Sequence, residues 1–223
     1  MAISIAPVIV AGCIGANRIA MSCFEPAPDS FGGIHASVVS VHKMGGGIYV
    51  ADAPDGADLS TMGGDIHLVS AGPFAKLKTM GGDISVERAA GSVDASTMGG
   101  KIDIGRAGGA IKASTMAGEV TAHLSGSSSA RRDVSLSSMS GGILLTVPKD
   151  FGMDVQIKLT YTKNSEGKYR VIQHLGLSER QTTEWDNSGG TPRKYIYVTG
   201  RVGNGGNTVK IETINGDISL KQE

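Results

Sequence analysis

One motif returns at a fixed interval, and that interval constrains the fold more than any other feature of the chain. Met44-Gly45-Gly46-Gly47-Ile48 is followed by Met62-Gly63-Gly64-Asp65-Ile66 and Met80-Gly81-Gly82-Asp83-Ile84. Met98-Gly99-Gly100-Lys101-Ile102 and Met116-Ala117-Gly118-Glu119-Val120 continue the series. The spacing of 18 residues holds four times without a slip. A looser copy, Met139-Ser140-Gly141-Gly142-Ile143, comes after 23, and Ile214-Asn215-Gly216-Asp217-Ile218 is the last. A period of 18 cannot hold a pair of helices, and leucine-rich repeats are longer and differently patterned.

Inside each unit the pattern has period 2. Ile66 and Leu68 flank His67, Ile84 and Val86 flank Ser85, and Ile102 and Ile104 flank Asp103. That is the alternation of a strand with one buried face. A second alternation follows about half a period later, at Ala75 and Leu77, Val93 and Ala95, and Ile111 and Ala113. Pro54-Asp55-Gly56, Gly72-Pro73, Ala90-Gly91 and Gly108-Gly109 mark turns between the two. A strand that returns every 18 residues in the same direction pairs in parallel with its predecessor. The expected fold is therefore all-β: a parallel β-solenoid of 18-residue coils, each with two short strands.

Composition agrees with a narrow core. Glycine occurs 33 times in 223 residues and aromatics are only 4%, so small aliphatics must fill the interior. Identical residues should stack in columns, with threonines 61, 79, 97 and 115 hydrogen-bonding along the rod. The methionine column could suggest a cofactor- or copper-binding face, but no His or Cys column accompanies it, so it reads as flexible filler at a corner. Beyond residue 124 the period loosens. Residues 131–147 read as one more coil, 154–162 and 195–199 as strands, and 208–221 as a terminal coil. The expected organisation is a leader or N-terminal cap over 1–32 and a single solenoid domain over 33–223, with an insertion or hairpin at about 164–194.

The N-terminus allows three readings. Residues 2–12 are apolar and end in Val10-Ala11-Gly12-Cys13, similar to a lipoprotein lipobox, which would make Cys13 a lipid anchor point. No Lys or Arg precedes the run, so a truncated leader or a first strand capping the fold are the others. Pairing of Cys13 with Cys23 is left open. No stretch is long and apolar enough for a membrane-spanning helix.

The Thr-Met-Gly-Gly-Asp-Ile units, Val147-Pro148 after them, and the closing run from Gly205 through Asn207-Thr208-Val209-Lys210-Ile211 to Gly216-Asp217-Ile218 resemble domain of unknown function family 4097. These are adhesin-type β-solenoids of bacteria, and the resemblance spans roughly 35–223. It implies a right-handed solenoid, exported or at the cell envelope, and brings no catalytic residues with it. The chain departs from the family in lacking a clear export signal and in having Met-Gly-Gly where Asn-Gly or Ser-Gly is usual.

Little in the sequence points to chemistry. Asp65 and Asp83 share a column that continues as Lys101 and Glu119. Stacked carboxylates are what a sugar-cleaving solenoid would need, but a solvated ladder neutralised by Lys101 is the simpler reading. One carboxylate per coil is too few for calcium. The histidines at 35, 42, 67, 123 and 174 share no column, so no metal site is expected. Gly108-Gly109 and Gly203–Gly206 precede neither a Gly-Lys-Ser/Thr nor a helix, so no nucleotide cofactor is expected. With 21 basic and 21 acidic residues the net charge is zero, which argues against nucleic acid.

The remaining candidates for contact are the basic pairs Arg131-Arg132 and Arg193-Lys194, and the single tryptophan, Trp185. The expected function is a non-catalytic, envelope-associated module that binds a surface polymer or protein through a flat wall or through 164–194. The alternatives are a scaffold that self-assembles by end-to-end strand stacking and, more weakly, a polysaccharide hydrolase using Asp65 and Asp83.

Overall fold

The structure, a computed structural model, describes residues 38–126, 131–187 and 190–223, together with the backbone of Ala20–Met21. Cys13, Cys23 and most of the expected leader or cap lie outside the described residues. The period-2 segments form two walls of stacked strands. The first wall runs through Ile48–Ala53, Ile66–Ala71, Ile84–Ala89, Ile102–Ala107, Val120–Leu124 and Ile143–Val147, with Ala20–Met21 at its outer edge. The second runs through Val39–Lys43, Ala57–Thr61, Phe74–Lys78, Ser92–Thr97, Ile111–Thr115 and Val134–Ser138. Every pair among these strands is parallel, and apart from one register shift between Ala122 and Leu124 the partners stay level, so Ile48, Ile66, Ile84, Ile102, Val120 and Ile143 form one column. The fold is a parallel β-solenoid. Among the described residues no helix is long and apolar enough to cross a membrane.

The core is the seam between the walls. Ile66, Leu68, Ile84, Val86, Ile102 and Ile104 on one side face Leu59, Ala75, Leu77, Val93, Ala95 and Ala113 on the other, and all are buried. The alanines among the aliphatics of the second wall, Ala75, Ala95 and Ala113, let the seam close without rings. Each buried aliphatic contributes about 1.5–3 kcal/mol, spread evenly along the stack rather than concentrated in one place.

The corner between walls explains the repeat motif. The hydroxyls of Thr79, Thr97 and Thr115 donate to the carbonyls of Gly64, Gly82 and Gly100 in the preceding coil, at 3.0, 2.9 and 2.9 Å. They bond to backbone and not to one another. The hydroxyl of Thr97 also accepts from Gly100 N at 3.2 Å, so one buried side chain ties two coils. This brings the backbones so close that a Cβ on Gly100 would lie 2.0 Å from Gly82 O. The glycine before it is different. A Cβ on Gly99 would meet nothing nearer than 3.6 Å, and Ala117 and Ser140 fill that position in later coils.

The end of the rod departs from simple winding. After Ile143–Val147 the chain skips a level. Met153–Thr162 and Val171–Gln173 form the outer coil, and the last segment, Asn207–Ile214 and Ile218–Gln222, slots in beneath it. The spatial order therefore inverts the sequence order. Residues 195–199 belong to Arg193–Val202, which runs antiparallel to Met153–Thr162 and carries antiparallel Ser178–Gln181 at the edge. These antiparallel strands cap the second wall with a short, fully exposed edge bearing Glu179 and Arg180, the kind of strand that discourages further pairing.

Two pairs of substitutions test this packing. Gly100→Ala should lower the midpoint of thermal unfolding by ~5 °C, while Gly99→Ala should leave it nearly unchanged. Ile84→Asp places a charge in a fully buried column and should cost ~4 kcal/mol or more, whereas Ser85→Asp should be mild. Circular-dichroism melts of the four variants check both, and equal midpoints within either pair would contradict the assignment.

Candidate functional site

The Asp column is occupied by structural work. Asp65 Oδ1 accepts a hydrogen bond from Asp83 N at 2.9 Å, and Asp83 Oδ1 accepts one from Lys101 N at 2.8 Å. Asp217, in the final Gly-Asp-Ile, does the same for Arg170 N at 2.9 Å. Each carboxylate satisfies the backbone donor of the neighbouring coil at the point where the ladder of one wall is interrupted by the turn. This is a local reason for Asp in the motif that needs no substrate.

The basic pairs are separated by the fold. Arg193 and Lys194 pair across from Tyr161 and Thr162 at one end of strand Met153–Thr162. Arg131 lies near the other end, donating to Thr208 Oγ1 at 3.3 Å and pairing with Asp133 at 3.2 Å. Thr208 is in register with Asp154, and the strand from Asp154 to Thr162 is ~26 Å long. Arg132 is not on the surface at all. It is 4% exposed, with its guanidinium over the Phe151 ring at 4.9 Å and donating to Ser125 O and Gly126 O. Burial lowers its pKa from the ordinary value.

Trp185, Arg193 and Lys194 come together on the cap. The ammonium of Lys194 sits 4.6 Å over the Trp185 ring and pairs with Glu166 at 3.3 Å. Tyr161 meets Trp185 edge-on at 6.0 Å, and Gln181 donates to the Tyr161 hydroxyl. Asp186 and Arg193 exchange backbone hydrogen bonds at 2.8 and 3.0 Å. Tyr195 donates its hydroxyl to Asp186 at 2.8 Å, and that bond raises the Tyr195 pKa. Beside this cluster an open groove of ≈ 450 Å³ is lined by residues 180–186, with Arg180 and Glu184 exposed. A second open groove of ≈ 480 Å³, on the first wall, contains Asp103, Arg106, His123 and Glu223. No hydrogen bond or ion pair joins those four. Ser125 and Thr146 also line the first-wall groove, but the Ser125 hydroxyl is directed at Ala107 O, 3.5 Å away, and no hydrogen bond joins it to His123 or to either carboxylate. Among the described residues no three of His, Cys, Asp and Glu are grouped as metal ligands.

One charged network had no sequence signal. Asp133 Oδ1 accepts from Thr208 N at 2.8 Å, and Arg201 Nε donates to Asp154 Oδ1 at 2.7 Å. Its members are about 50 to 75 residues apart in sequence, as the bonds themselves show. Comparison of the chain with protein-family models, with curated proteins and with solved structures finds no match, so the functional reading rests on the site itself.

The network gives a pH prediction. The backbone bond from Thr208 holds the Asp133 carboxyl below its usual value, and the bond from Arg201 does the same for Asp154. Depressed carboxylates add stability above the unfolded pKa of ~3.9, and that contribution is lost as pH falls through the lower folded values. The urea midpoint should therefore fall below about pH 4, and Asp133→Asn with Asp154→Asn should flatten that fall. An unchanged acid limb in the double variant would show that these carboxylates are not coupled to folding.

Proposed function

We propose that this protein is a non-catalytic binding module of the bacterial cell envelope, in which the solenoid is a rigid spacer and the cap is the contact surface. The observation that carries this reading is the groove of residues 180–186 beside the Trp185–Lys194 pair. It is the place where a ring, a cation and exposed polar side chains meet on an element outside the repeat. Polymers of sugar and short protein segments are both recognised by such surfaces. The resemblance to domain of unknown function family 4097 adds the envelope location. The hydrogen bonds spent by Asp65 and Asp83 on backbone support the absence of hydrolysis.

Self-assembly is a second reading, favoured by one observation. Val39–Lys43 is the outermost strand of the second wall among the described residues, and a parallel edge can template a second copy. The short charged strand Ser178–Gln181 at the opposite end argues against filaments growing by repeated head-to-tail stacking.

The test is a glycan array and an envelope-fraction pull-down with the intact protein and with Arg180→Ala/Glu184→Ala, both exposed and outside the core. Deleting 164–194 would not serve, because Val171–Gln173 is part of the first wall. At least a tenfold loss of binding in the double variant is expected. Retention of full binding, or no binding by the parent to any envelope component, would refute the reading.

A further inference from the structure

The methionine column faces outward. Met44, Met62, Met80, Met98, Met116 and Met139 are 44–81% exposed, whereas the threonines just before the middle four are buried. Filling a corner therefore does not account for them. Six coils in succession place an unbranched thioether on one outer ridge.

The ridge is not merely a residue of duplication. The outward column of the first wall has diverged through Tyr49, His67, Ser85, Asp103, Thr121 and Leu144. Even the buried column of Val50, Leu68, Val86, Ile104 and Ala122 varies in size. A position about half exposed in five of its six coils stays methionine while fully buried neighbours vary. The exceptions are the two coils at the capped end, where Ile214 and its register partner Thr160 take the place of Met.

We propose that this ridge binds a soft monovalent metal ion, Cu(I), through thioether sulfurs of adjacent coils. Sulfur ligands without nitrogen or oxygen partners select Cu(I) over harder divalent ions. Neighbouring coils are ~4.8 Å apart, which brings thioethers of successive coils within reach of one shared ion. Free rotation about the Met side chain supplies the remaining adjustment. Asp65, Asp83 and Glu119 follow their methionines by three residues, and Lys101 is the one opposing charge in that column, so the ridge offers a cation a net negative setting. The ion binds as Cu(I), and no electron transfer is involved.

The experiment uses the full chain carrying Cys13→Ser and Cys23→Ser, so that thiols do not compete. Anaerobic Cu(I) is titrated against a chromophoric Cu(I) chelator, with Ag(I) as a redox-inert check. The parent should take up about two to three ions, one per pair of sulfurs. Met62→Leu/Met80→Leu/Met98→Leu/Met116→Leu keeps the apolar surface and removes the sulfur, and Leu-for-Met exchange is well tolerated. Its thermal midpoint should match the parent's, and its Cu(I) affinity should fall at least tenfold. Equal uptake by this variant, or no uptake by the parent in competition with the chelator, would overturn the proposal.

Discussion

The stack depends on how closely one backbone approaches the next at a single corner. There a glycine carbonyl of one coil occupies the space in which the following coil would carry a Cβ, and a buried hydroxyl closes the same gap with a hydrogen bond. The two requirements lock each other. Without glycine the threonine could not reach, and without the threonine the glycine carbonyl would be buried with one partner fewer. Repeating this corner in each coil keeps the walls in register, and register keeps every aliphatic column on the inner side.

The same corner sets what the outside can present. Strand alternation that turns threonine inward turns the next residue, methionine, outward. The carboxylate that follows the glycine pair reaches forward to accept from the next coil's amide. A rod built this way has flat walls and open grooves, and variety in surface chemistry enters mainly where the repeat is broken. In this chain that place is the cap, where antiparallel strands gather Trp185, Tyr161, Tyr195 and Lys194.

The regular coils were legible because an 18-residue period and period-2 alternation state both the partner and the face of each strand. The exposure of the methionines was missed in favour of corner filling, although the signal was present. Leu59, Ser60, Thr61 and Met62 alternate in and out, and following that alternation one residue further points Met62 to solvent. The inverted order of the last coils was not legible, because Val134 pairs with Val209 and not with Val155. All three are valines in similar alternation, so the pattern fixes the face and leaves the partner open. Arg132 was misplaced for a similar reason. Next to Arg131 it looks like surface charge, but alternation ahead of Val134 turns it inward onto Phe151, a contact 19 residues away that no local pattern marks.

The insertion of the closing strand beneath the cap joins rod and cap into one body, and cross-linking tests it directly. In a background of Cys13→Ser and Cys23→Ser, the exposed pair Ser135→Cys/Lys210→Cys joins register partners on adjacent strands, within disulfide reach at ~4.8 Å. Ser135→Cys/Gln156→Cys spans two strand spacings, because Gln156 is the partner of Lys210. Rapid oxidation of the first pair and none of the second is the expected result. Oxidation of the second pair in preference to the first would mean that the coils stack in sequence order, and the cap would then not be keyed into the rod.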